Sequence, residues 1–533
     1  MKAKIEERDK ESKQKLDGKS GWEGKQEGAS GKTDLRMDIF GEAAKYYVTQ
    51  QTPHIPNTGE RLTNYPLYAK QNAVPGGMVI EFLPVYGSNK FMKPNSTLKG
   101  VASRIWQSLR NHCTTAVNYQ PGDVLVTLLQ LYSYPMRLKQ VFRRMQAAYI
   151  TDDERNLNNN RLFEVLNRSG QDRSYAIANM QDFVNTYLDI VKYFNDFKVP
   201  DFFPIFHRWE NMLGTFFSDI EPIEGQAFQY YIFDTTTQYQ TRLGRPDEVE
   251  GWHVDPYQDP GDIESALNAM QQEITDIYED STVNFILGDL KRTYEDVNPW
   301  QLEPITLADV QAGPKPVYDP EMLYALYHAS VLDVTSPSLV VNPNSGVLEG
   351  LYTFNNENAF KLALNKLMLK HPKLFNAMKA DMTPDEFRKY TCWTVQQDTW
   401  DDLTAIQEPG PEILRSLTIF YNEFDEGEAF GDEAVLTLTP EFTNSLYCPK
   451  TGAISAELYS NTIFEIAQAQ TFAWSPMFTQ YSYEIDAADL PSNFQTLGVL
   501  AELELPFYLD SKNIRVWHDT IRQSLWNTPF SII

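Results

Sequence analysis

The sequence predicts an α+β chain that is predominantly α-helical, a multi-part body behind a disordered amino-terminal arm. Three observations lead there. Apolar residues recur at three- and four-residue spacing over the longer stretches, strand-like apolar runs are short and few, and the first 36 residues carry almost no large apolar side chain. Hydrophobic residues make up 42% and aromatics 13% of the 533 residues, the profile of a folded protein. A chain of this size exceeds what one core supports, so the body should hold more than one part.

The expected division is residues 1–36 as arm and 37–533 as body, with no internal boundary that the sequence marks. In the arm, Ile5, Leu16, Trp22 and Leu35 are the only large apolar side chains among Lys, Glu, Gly, Ser and Gln. Such a segment cannot bury enough surface to offset its ordering entropy. Pro75-Gly76-Gly77 then precedes the apolar run Met78 to Leu83, which is stopped by Pro84 and reads as a strand. Thr97 to Arg110 reads as a helix, with Leu98, Val101, Ala102, Ile105, Trp106 and Leu109 on one stripe. Asp123 to Tyr149 reads as a long helical stretch that Pro135 should kink or split, because the ring removes a donor.

Amphipathic helices are expected again at Met180 to Phe197 and Asp262 to Asp280. Asp319-Pro320 has the form of a cap followed by proline at the first helical position, and Thr383 to Glu386 has capping-box spacing. Asn358 to Lys370 closes before His371-Pro372. Strands are expected at Tyr230 to Phe233, Ser338 to Val341, Ala434 to Thr439 and Leu497 to Leu503. Proline-containing stretches around Asp255 to Gly261, Pro299 to Pro320 and Gln407 to Pro411 read as links. There is no internal repeat of fixed period.

The net charge of -26 argues against general nucleic-acid binding, but it is unevenly spread. The first 36 residues hold ten bases and eight acids, while Phe82 to Thr151 holds nine bases against Asp123 alone. The candidate contacts to a polyanion are therefore Lys2, Lys4, Arg8, Lys10, Lys13, Lys15 and Lys19 in the arm, with Arg137, Lys139, Arg143 and Arg144 in the basic segment. The equally weighted alternative is that the segment's bases pack against the acidic remainder, within or between subunits. With nearly as many acids as bases, the arm should attract phosphates weakly and in a salt-sensitive way.

Chemical constellations are weak. Asp17 to Ser20 and Ser30 to Thr33 end like phosphate-binding loops, but Lys13 and Gln26 stand where the first glycine is needed. Cys113, Cys392 and Cys448 lack metal or redox spacing, and the seven histidines are dispersed. His112-Cys113 are neighbours whose side chains point apart on a helix, which favours packing over nucleophile and base. Glu423 to Glu433 holds six acids and no base; a solvated loop is favoured over a calcium site because the alternating ligand pattern is missing. No catalytic residue, metal site or cofactor is expected. No export signal or membrane-spanning run is present, so the chain is expected to be soluble and cytoplasmic when made.

Pro75-Gly76-Gly77-Met78 leading into a strand, Asn95-Ser96 opening a helix, Ser108 to His112, Asn118-Tyr119, and Asp123 to Leu129 running into a tyrosine-containing helix together resemble the amino-terminal conserved part of picobirnavirus capsid proteins. The arm, with Asp17 to Trp22, is similar to the start of such proteins. The resemblance implies a viral capsid subunit that dimerises and assembles into a small icosahedral shell around double-stranded RNA, arm inside. Its partners would be itself and viral RNA, its place the virion, assembled in the host cytoplasm, without membrane contact or enzyme activity. A rival reading is an exported glycan-binding helical protein of a bacterial surface uptake system, which would need an export signal. A second is a hydrolase with dispersed carboxylates.

Overall fold

In this computed structural model, residues 74–85, 97–113, 119, 121–150, 171–218, 228–233, 235–240, 253–258, 261–314, 316–332, 334–335, 339–341, 348–350, 352–354, 359–377, 379–390, 394, 406, 410–423, 432–438, 446–449, 472, 474–488, 490–500 and 505–526 are described. The arm, and with it Lys2 to Lys19, lies outside them. The fold is α+β and predominantly helical.

In chain order the elements are β1 (Val74–Pro84), α1 (Thr97–His112), α2 (Pro121–Ile150), α3 (Gln171–Ala178), α4 (Met180–Phe197), α5 (Pro204–Gly214), β2 (Phe216–Ser218), β3 (Phe228–Phe233), β4 (Thr235–Gln240) and β5 (His253–Gln258). There follow α6 (Ile263–Glu279), α7 (Ser281–Thr293), α8 (Leu307–Gln311), β6 (Pro316–Val317), α9 (Pro320–Tyr327), β7 (Leu339–Val341), β8 (Leu348–Gly350), α10 (Ala359–Lys370), β9 (Lys373–Asn376) and α11 (Pro384–Tyr390). The last are β10 (Glu412–Glu423), β11 (Asp432–Leu438), β12 (Leu446–Pro449), β13 (Phe478–Ile485), β14 (Pro491–Leu500), β15 (Pro506–Leu509) and α12 (Ser511–Leu525).

α2 is the axis of the helical part. Leu125, Val126, Leu128, Leu129, Leu131, Tyr132, Tyr134, Met136 and Leu138 are all buried, on every side of the helix. A helix with apolar side chains on every side has to be surrounded, and α1, α3, α5, α6 and α8 pack on it. That enclosure holds the helix continuous through Pro135, so the expected split does not occur. Each large apolar side chain fully buried here contributes about 1.5–3 kcal/mol, against which one missing backbone hydrogen bond is small. Gly214 at the end of α5 lets the two helices close up, since a Cβ there would meet the Lys139 Cβ at 3.2 Å.

Caps form where the sequence places them. The Asp262 carboxylate accepts the Ser265 amide at 2.7 Å to open α6, and Asp319 accepts the amides of Glu321 and Met322 to open α9 at Pro320. Thr383 and Glu386 exchange the reciprocal bonds of a capping box, at 2.7 and 3.3 Å. α4 presents Phe183, Val184, Tyr187, Ile190, Val191 and Phe194 to the core at helical spacing.

The main sheet has order β11-β10-β1-β3-β2-β6. β1 lies inside it, antiparallel to β10 and parallel to β3, with Val79 opposite both Thr418 and Tyr230. Strands flanked on both sides read as continuous apolar runs, which is why Met78 to Leu83 was legible. Three smaller sheets follow the orders β12-β13-β14, β15-β9 and β4-β5-β7-β8. These give the body more strand than the sequence suggested. β10 was missed outright, and the expected link around Asp255 to Gly261 is in part β5. β7 covers only His253 and Val254, so Pro256 sits where β5 is paired on one side, a position that tolerates proline.

Candidate nucleic-acid interface

The described bases of Phe82 to Thr151 divide between two helices, while Lys90 and Lys93 lie outside the described residues. On α2 three of its arginines point inward. Arg137 Nη1 donates to Glu273 Oε2 at 2.7 Å, with the two side chains 1% and 10% exposed. Gln130 reaches the other oxygen of the same carboxylate. Arg144 Nη2 donates to Asp172 Oδ2 at 2.8 Å and to the Gly261 carbonyl at 3.0 Å. Asp172 Oδ1 accepts the Ile263 amide at 2.8 Å, so this pair also seats the first turn of α6. Burial pushes the Asp172 carboxyl up, against the opposing pull of Arg144 and that amide.

Arg143 has no carboxylate partner among the described residues. Its guanidinium donates to three carbonyls, of Met212 (3.2 Å), Thr215 (2.8 Å) and Tyr231 (2.7 Å), and stacks 3.4 Å from the Tyr230 ring centroid. Desolvation lowers it to about 10, so it is still charged at neutral pH. It joins the end of α5 to β3. Only Lys139 of the α2 candidates is substantially exposed, with its ammonium 3.9 Å from Glu210. Arg137, Arg143 and Arg144 are thus buried, with the donors named above bonded inside the chain.

Around Lys139 lies a charged surface cluster. His207 bonds Asp201 at 2.8 Å, approaches Glu210 at 3.6 Å and stacks on Trp300. The two carboxylates raise it to about 9. α5 is further tied to the sheet by the fully buried Glu412 of β10, which accepts Arg208 Nε at 2.7 Å and Trp209 Nε1 at 2.9 Å.

α1 is the opposite case. Val101, Ile105 and Leu109 face the core, while Arg104, Gln107, Arg110 and Asn111 are exposed. The Arg110 guanidinium lies 5.8 Å over the Trp106 ring, which meets Tyr119 edge-on. Tyr119 donates to Asp289 of α7 at 2.6 Å, and Arg292 stands 3.9 Å from the same carboxylate. Arg104 and Arg110 count among the bases of the segment, yet the sequence candidates did not include them; their placement opposite the apolar stripe was the signal that could have done so.

The other sequence candidates are also placed. His112 Nδ1 pairs with the Ser108 carbonyl at 2.9 Å, and the Cys113 thiol is pushed up by burial and by Asp289. Its environment keeps the sulfur protonated and turned to α7, as packing requires and as a nucleophile would not. Of the acidic run, Glu423 and Asp432 pair across β10 and β11, and 424–431 lie outside the described residues. Among the described residues no group of three or more His, Cys, Asp or Glu side chains is arranged to hold a metal ion, and no helix is long and apolar enough to cross a membrane.

No family model matches the sequence, and no curated protein matches it. Among solved structures, the chain is similar to one described as the X-ray crystallographic structure of the picobirnavirus capsid, with a TM-score of 0.64 and 13% identity. The match covers 86% of this chain and 89% of that one. At such identity the likeness is one of fold: the body has a picobirnavirus-capsid-like fold.

Proposed function

We propose that this chain is the structural subunit of a viral capsid, which dimerises and assembles into a small icosahedral shell around double-stranded RNA. The observation that carries the reading is the fold likeness over most of both chains. Its place would be the virion, assembled in the host cytoplasm. The arm, residues 1–36, would contact RNA without sequence preference through Lys2, Lys4, Arg8, Lys10, Lys13, Lys15 and Lys19, and Lys139 would be the one α2 base able to join them.

Exposed apolar side chains support contacts between copies. Tyr508 and Phe285 are 62% and 70% exposed, and Ile177 and Val516 are comparable. Isolated apolar side chains are normal on a monomer, but rings this open are typical anchors of subunit interfaces. The acidic remainder would keep finished particles apart.

The test is to express the whole chain and examine it by electron microscopy and sedimentation. Uniform closed particles are expected; a monomer stable at high concentration across salt and pH would overturn the reading. Deleting residues 1–36 should leave the body folded and lower the co-purified nucleic acid, and unchanged nucleic-acid content would remove the arm from that role.

A further inference from the structure

Resting on the capsid reading, we infer that the exposed face of α1, extended by the last turn of α7, is a second, preformed surface for the nucleic-acid backbone, separate from the arm. α1 carries Lys99, Arg104 and Arg110 and no acid, in a chain whose net charge is -26. Its apolar stripe is turned inward, which forces Arg104, Gln107, Arg110 and Asn111 onto one outer face at three- and four-residue steps. Arg104 and Arg110 are separated by about 9 Å along the helix axis, so the two guanidiniums can meet different phosphates. Among the described residues Arg104 has no ion-pair partner, and Arg110 is braced only by the Trp106 ring.

α7 enlarges the patch. Lys291 and Arg292 close its last turn and are exposed, while the acid between them and α1, Asp289, is 13% exposed and occupied by Tyr119. Glu295 and Asp296, just beyond, are exposed and bound the patch on that side. α12, which also packs on α1, carries Lys512 exposed and Arg515 half-buried.

A basic face on an acidic protein also suits an acidic neighbour, so composition has to decide between polyanion and second copy. Interfaces between proteins have an apolar, aromatic centre that excludes water. The outer face of α1 itself has none: its only large ring, Trp106, is half-buried and turned to Tyr119, and the exposed apolar Phe285 and Val516 belong to the neighbouring α7 and α12. What it offers is guanidinium and carboxamide donors, the set that contacts phosphate and sugar without reading bases.

The experiment uses the full chain, arm included, carrying Arg104→Glu and Arg110→Glu together. A fluorescein-labelled duplex RNA is titrated with unassembled protein over a range of salt, and oligomeric state is followed in parallel by sedimentation. We expect binding at least about tenfold weaker at low salt and a log-log salt slope smaller by about two, one for each phosphate that is no longer neutralised. Arg104→Lys with Arg110→Lys should retain the wild-type slope. An unchanged slope in the Glu variant overturns the inference, and unchanged slope with loss of oligomers would identify the face as a contact between copies. Wild-type chain that forms neither oligomers nor RNA complexes would sink the capsid reading itself. Wild-type chain that forms particles but gives the same slope with or without the substitutions would sink only this face.

Discussion

α1 and α2 come from one basic segment and use their charge in opposite ways. α1 has a single apolar stripe, so its bases have an outside to occupy; α2 is enclosed on every side, so its arginines have none. The number of bases on a segment therefore says nothing about what they meet. The distribution of the apolar residues between them does. On α2 the charge is structural, fixing α3, α5, α6 and β3 around one axis through Asp172, Glu273 and three backbone carbonyls.

The contrast can be broken most directly at the acids. Asp172→Ala or Glu273→Ala should each strip about 3–5 kcal/mol from the body, because each leaves a guanidinium buried without its carboxylate. Urea denaturation followed by tryptophan fluorescence measures this; a loss under about 1 kcal/mol would mean that the pairs are hydrated and that α2 is not the enclosed axis described. Replacing Arg137 and Glu273 together by Met and Leu should restore most of that stability, since a packed apolar pair avoids the desolvation of both charges.

A second test asks whether burial governs ionisable groups away from α2. His328 is 6% exposed, its Nε2 accepts the Asn376 amide at 3.1 Å, and burial lowers it to about 3. The unfolded ring takes up a proton near 6.5 and the folded one does not, so its contribution is complete above that pH and is lost as pH falls from about 6.5 toward 3. The expected slope is up to about 1.4 kcal/mol per pH unit, and His328→Gln, which keeps an acceptor but does not titrate, should flatten it. Equal acid sensitivity in both proteins would place the ring in water.

The smallest effect is expected on α1. Arg104→Glu with Arg110→Glu should change folding stability by no more than about 0.5 kcal/mol, because neither side chain is enclosed. A drop in melting temperature of the size produced by Asp172→Ala would show that α1 is buttressed by its arginines as α2 is.

The helices and their caps were legible because each rests on local chemistry. Met180 to Phe197 shows its stripe, and Asp262, Asp319 and Thr383 stand one residue before their helices. β10 was not legible, since Leu414, Leu417 and Ile419 acquire meaning only when β1 lies beside them. The same holds for the site. The burial of the arginines of α2 was not legible, because Thr127, Gln130, Arg137, Gln140 and Arg144 follow one another at helical spacing and read as a polar face. The partners Glu273 and Asp172 were beyond sequence reasoning, because nothing local ties residue 137 to 273 or 144 to 172.

The position of β1 sets a clock for the molecule. Its Glu81 bonds Ser416, 335 residues downstream, at 2.7 Å, and β10 forms one whole flank of the strand. During synthesis the apolar Met78, Ile80 and Phe82 emerge long before the strand that covers them, and contacts so distant in sequence form late. A nascent chain thus cannot close its main sheet until β10, more than three hundred residues after β1, has left the ribosome.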